Sequence, residues 1–158
     1  MSVVVTYKAV ATVVETLGAN TGSAPANTRV VTHTDYNEEF TLNSGSTPPA
    51  TQCAHFLLTL SGGAATINLA SLTGTNGGPV DMTGLRVQIF RVKNLGANPM
   101  TFSEGASNGY AGVTLTIPPG GHVQLYSPDA LGDVASGDRT IDAAGTGSQT
   151  AEVTIIAG

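Results

Sequence analysis

Short stretches in which side chains alternate along the backbone recur through this chain, each closed by Gly, Pro, Asn or Ser. Leu85, Val87, Ile89 and Arg91 alternate with Arg86, Gln88, Phe90 and Val92, and the run from Ala64 to Leu69 alternates in the same way. Alternation with a period of two places successive side chains on opposite faces of a strand, whereas a buried helix face needs a period near 3.6. No segment offers a convincing helical period. The chain is therefore restricted to all-β folds built from short strands and tight turns.

Strand-like runs fall at 3–17, 28–34, 38–43, 53–60, 64–69, 85–93, 100–102, 113–117, 122–126, 139–143 and 151–156. Ser61-Gly62-Gly63 predicts a hairpin in which 52–60 pairs with 64–69. Residues 71–84 are long enough for a Greek-key crossover, and 85–93 is the expected centre of a sheet. About ten short strands in a row predict an antiparallel β-sandwich, jelly-roll-like, in a single domain spanning 1–158. The sequence has no Trp and 5% aromatic residues, so the core must be mainly aliphatic.

The N-terminal run has an unusual pattern. Val3, Val5, Tyr7, Ala9, Ala11 and Val13 share one face, and Val4, Thr6, Lys8, Val10, Thr12 and Val14 share the other. Neither face is cleanly polar, so such a strand is covered on both sides or pairs with another chain. Residues 1–17 read as an arm or edge strand. The turn-rich segment 18–27 would let it leave its own domain, which favours a neighbouring chain as partner. Val3, Val5, Tyr7, Val10 and Val13 are its candidate interface residues.

Charge excludes several functions. Only 11% of residues are charged, and the net charge is −5 with six basic residues, which predicts no nucleic-acid footprint. Arg86, Arg91 and Lys93 cluster, but read as a solvated strand face. The start, Met1-Ser2-Val3-Val4-Val5-Thr6, lacks the basic region of a secretory signal. No apolar run approaches the ~20 residues of a helical membrane span.

Candidate chemistry is sparse. A lone cysteine, Cys53, rules out an internal disulfide framework. Cys53 and His55 share a strand face, but a zinc site needs further ligands, and His33 and His122 are scattered. Asp129, Asp133, Asp138 and Asp142 run through a Gly-rich segment without a calcium-loop pattern. Glu38-Glu39 would need a distant carboxylate and sugar-stacking rings to act as a glycosidase pair. No nucleophile elbow or phosphate loop is written in the sequence. The expectation is a non-enzymatic protein with no catalytic residues, no metal and no cofactor.

One resemblance adds a role. Pro79-Val80-Asp81-Met82-Thr83-Gly84 leads into Leu85-Arg86-Val87-Gln88-Ile89-Phe90-Arg91-Val92-Lys93-Asn94. Gly96-Ala97-Asn98-Pro99-Met100-Thr101, Asn108-Gly109-Tyr110, Ile117-Pro118-Pro119-Gly120-Gly121 and Gln124-Leu125-Tyr126-Ser127-Pro128-Asp129 follow, before a closing Glu152-Val153-Thr154-Ile155-Ile156. This phrase order, over roughly half of the chain, resembles small structural proteins of tailed phages and prophages: capsid decoration (cement) subunits and head or tail accessory parts. The resemblance implies a virion structural protein assembled in the host cytoplasm. It implies a homo-oligomer, a trimer first, bound to the major capsid protein or another virion protein. The competing expectation is a carbohydrate-binding or adhesin-type β-sandwich, which a glycan array would separate from it.

Overall fold

The computed structural model describes residues 3–17, 29–32, 36–126 and 131–158, with the side chains of 15–17 and 29–31 left aside. The segment 18–27, His33 and Asp129 lie outside the described residues. The fold is all-β. Fourteen strands occur among the described residues: β1 (Val4–Ala11), β2 (Val14–Leu17), β3 (Arg29–Thr32), β4 (Tyr36–Asn43), β5 (Gln52–Thr59), β6 (Ala64–Asn68), β7 (Leu72–Thr73), β8 (Pro79–Val80), β9 (Val87–Asn94), β10 (Met100–Glu104), β11 (Leu115–Ile117), β12 (His122–Tyr126), β13 (Thr140–Ala144) and β14 (Thr150–Ala157).

Eight of them build a sandwich. One antiparallel sheet has the order β12-β9-β14-β5, and the other has the order β11-β10-β13-β6. Only β10 and β11 pair as sequence neighbours; each other step between consecutive members of the eight crosses from one sheet to the other. This is the order expected of a jelly roll, two Greek keys wound together. The inner faces supply the core: Ala54, Leu58, Phe90, Val92, Ala151, Val153 and Ile155 from one sheet meet Ile67, Met100, Phe102, Ile117, Ile141 and Ala143 from the other. Phe90 and Phe102 touch edge to face across it, with centroids 6.2 Å apart and planes at 68°.

The expected central strand is central: β9 is bonded to β12 on one side and β14 on the other. The expected 52–60/64–69 hairpin does not form. β5 pairs with β14 and β6 with β13, so the Ser61-Gly62-Gly63 turn carries the chain from one sheet to the other. A lone Ser61–Ala64 bridge closes that turn and goes no further. Alternation fixes which face a residue takes, not which strand it pairs with. The crossover 71–84 holds the small β7–β8 ladder and drops Met82 fully into the core.

Buried polar groups knit the loops at both ends. The Asn94 side-chain amide donates to the carbonyls of Asn98, Ile117 and Pro118, and its oxygen accepts from the Gly96 N–H. Tyr110 is fully buried and donates its hydroxyl to the Gly132 carbonyl. Burial pushes this phenol up to about 12. The ordinary phenol ionises near 10, so between those values the unfolded chain loses a proton that the folded chain keeps. The stabilising effect is whole below pH ~10 and declines as pH rises toward 12. Tyr110→Phe should flatten this alkaline arm, which we expect to reach about 2 kcal/mol. Denaturant melts at pH 9 and pH 11 check it; an unchanged alkaline slope in the variant would refute the assignment.

Candidate interaction surface

The six strands outside the sandwich include four that form one long ribbon. β1 pairs antiparallel with β4, from Val4 opposite Asn43 to Ala11 opposite Tyr36, and β2 pairs with β3 from Val14 opposite Thr32 to Leu17 opposite Arg29. The single strand expected over 3–17 is thus broken at Thr12-Val13, and its first part pairs with β4 of the same chain. Opposed residues support the pairing: Tyr7 faces Phe40, and the Lys8 ammonium meets the Glu39 carboxylate at 3.2 Å. At ~3.3 Å per residue, 4–17 extends for about 45 Å.

Period two gives the ribbon two distinct faces. The face of Val3, Val5 and Tyr7, with Leu42 and Phe40 opposite, turns toward the outer side of the β12-β9-β14-β5 sheet. Val3 and Leu42 are buried there with Ile89, Ile156 and Ala50, and Val5, Tyr7, Cys53 and Tyr126 pack around them. Tyr126 stacks between the ribbon's rings, 4.8 Å from Tyr7 and 5.6 Å from Phe40. The other face is open: Val4 and Val10 are 67% and 53% exposed. Beyond the break, Val13 and Val14 are 56% and 57% exposed, and among the described residues β2 and β3 are hydrogen-bonded only to each other. Of the five expected interface residues, Val3, Val5 and Tyr7 anchor the ribbon on its own domain, while Val10 and Val13 face outward. Their matching side-chain types group them in the sequence; burial separates them.

The outer face of the sheet explains where the ribbon sits. Its strands align in three rows: Tyr126-Ile89-Ile156-Cys53, then Gln124-Arg91-Thr154-His55, then His122-Lys93-Glu152-Leu57. The first row is apolar and lies under the ribbon. The next two are polar apart from the exposed Leu57 and stay wetter. The Arg91 guanidinium lies 3.2 Å from the Glu152 carboxylate, His55 Nδ1 contacts the Thr154 hydroxyl at 2.8 Å, and His55 Nε2 is 3.7 Å from Glu152. Above these rows the ribbon lifts off and leaves a cleft of ≈ 690 Å³ between itself and the sheet.

The remaining sequence candidates hold structure together. Asp142 accepts from the Thr66 hydroxyl and the Ala106 N–H, which hold its carboxyl below the usual range. Asp138 accepts from the Ala111 N–H, and Asp133 pairs with Arg86 at 3.0 Å, so these aspartates serve separate contacts. Glu38 and Glu39 fall on opposite ribbon faces, opposite Ala9 and Lys8. Among the described residues, no group of three metal-ligating side chains stands together. Arg86 lies before β9 at a separate cleft, so the expected Arg86-Arg91-Lys93 cluster resolves into an Arg91-Lys93 pair.

Cys53 reports on ribbon seating. Its thiol is half-buried beside the ribbon's apolar face, and burial pushes its pKa up, so little thiolate is present near neutral pH. Tyr7→Ala removes the ring stacked on Tyr126 and should speed reaction of Cys53 with a disulfide reagent by about tenfold. An unchanged rate would mean that Tyr7 does not hold the ribbon down.

Comparison with known proteins returns no matching family model, no matching curated protein and no matching solved structure.

Proposed function

We propose that this chain is a non-enzymatic assembly subunit, a structural protein of a phage particle, in the manner of a capsid decoration subunit. The observation that carries the assembly role is the ribbon: it is anchored at one end, has two open strand edges, and presents Val10, Val13 and Val14 outward. Exposed branched side chains beside open edges are an aggregation hazard unless a partner covers them. The occupant we assign is a second copy of this chain, joined head to tail so that the contacts close as a ring, with a trimer favoured. The phage setting rests on the resemblance of the C-terminal half, and the partner beyond the ring is the major capsid protein or another virion protein.

The particle role is tested on virions banded in a density gradient from a strain encoding the chain. The chain should co-band in many copies per particle and be lost when Val10, Val13 and Val14 are replaced by Asp. Particles that band without it would sink the virion reading while leaving self-association to be judged on its own.

A further inference from the structure

We infer that the cleft under the ribbon is a binding site for a carboxylate-bearing saccharide. This inference needs no self-association, although Val10 lines the cleft as well as the open face of the ribbon. In a chain of net charge −5 with six basic residues, the floor of this cleft collects Arg91 and Lys93 with His122 and Gln124. Strand register is what gathers them: His122 lies opposite Lys93 and Gln124 opposite Arg91, all on the outer face of adjacent strands. Glu152, opposite Lys93 on β14, is engaged by Arg91 and His55. Lys93 and His122 have no ion-pair partner among the described residues, and Arg91 keeps further N–H donors beyond the one given to Glu152. The floor thus offers a positive site for a carboxylate, and the Gln124 amide can both donate to and accept from a hydroxyl.

The roof favours a ring over a peptide. Tyr36 is 52% exposed and lines the cleft with Tyr7, and Ala9 and Ala11 leave space between the rings and the sheet. An aromatic face with a polar rim suits the apolar face of a sugar ring. The volume, ≈ 690 Å³, lies within the range of small-ligand sites, roughly 300–1,000 Å³. Two more charged groups belong to the roof. Lys8 is paired with Glu39. Glu38 shares the inward face, and its charge raises the Tyr36 phenol pKa. Glu38 opposes an anionic ligand and sets a limit on its affinity.

The test is titration of the intact chain with a galacturonic acid trimer, a neutral galactose trimer and a pentaglutamate peptide, followed by amide chemical shifts. The acidic trimer should bind saturably, with shifts at 91–93 and 122–124, and the neutral trimer about tenfold more weakly or not at all. Lys93→Ala and His122→Ala should each weaken the acidic trimer by about fivefold to tenfold, and Tyr36→Ala by a similar factor. Glu38→Gln should tighten it. All four positions are at the surface, and an unchanged far-ultraviolet spectrum confirms folding. No saturable binding up to about 10 mM, equal affinity for the neutral trimer, or tighter binding of the peptide would each overturn the inference.

Discussion

Phe102→Ala should destabilise the protein by about 3–5 kcal/mol, a large share of the ~5–15 kcal/mol that holds a typical domain together. Phe102 is fully buried on β10 and meets Phe90 of the facing sheet edge to face. Its neighbours in the core are strand residues such as Met100, Ile117 and Ile141, all fully buried and fixed by their ladders. They cannot slide into the space left by the ring, so the cost includes a cavity as well as lost burial. With no Trp in the chain, the Phe90–Phe102 pair is the main aromatic contact joining the sheets. Equilibrium urea unfolding should show a lower midpoint at an unchanged slope. A loss below about 1 kcal/mol would mean that the sheets do not pack as described.

Gly105→Ala should cost about 3 kcal/mol through overpacking and broken hydrogen bonds. An added Cβ would lie 2.1 Å from the Thr140 hydroxyl oxygen and 2.9 Å from its carbonyl oxygen. Thr140 is the hub of the loop between β10 and β11. Its carbonyl accepts from Gly105 and Tyr110, its backbone N–H donates to Asn108, and its hydroxyl donates to the carbonyls of Ser107 and Asn108. Displacing Thr140 therefore loosens several bonds together, along with the entry of buried Tyr110. Gly137→Ala is the matched control, since a Cβ there meets nothing within 4 Å. Thermal melts should separate the two variants by several degrees; equal melting would contradict the close approach.

Much of the sandwich was legible from alternation. In β9 the sequence places Phe90 and Val92 on one face and Val87, Ile89 and Arg91 on the other; the division holds from Ile89 onward but fails at Val87, which an irregularity in the β14 register sends into the main core with Phe90. Partner choice was not legible. Ser61-Gly62-Gly63 has the residues of a hairpin turn, yet the strands on either side enter different sheets, β5 against β14 and β6 against β13. The closing strand was read short, at 151–156; it is an eight-residue central strand. The N-terminal pattern correctly signalled two half-apolar faces, but not that Tyr36–Asn43 would supply the partner across a long loop. The cleft was invisible, since it needs β1, β4, β9 and β12 placed together. The nearest sequence signal was the Arg91-Lys93 spacing, which puts both cations on one strand face.

The ribbon as an assembly arm is tested most directly by sedimentation velocity at tens of micromolar, comparing the intact chain with a Val10→Asp, Val13→Asp, Val14→Asp variant. These side chains point away from the anchoring contacts with Tyr126 and Ile89, so the variant keeps its β-sheet spectrum. The intact chain should sediment as a closed multimer of the 15.9 kDa subunit, three copies first, and the variant as a single 15.9 kDa species. If both sediment as single subunits, or both as the same multimer, the ribbon does not join copies of this chain.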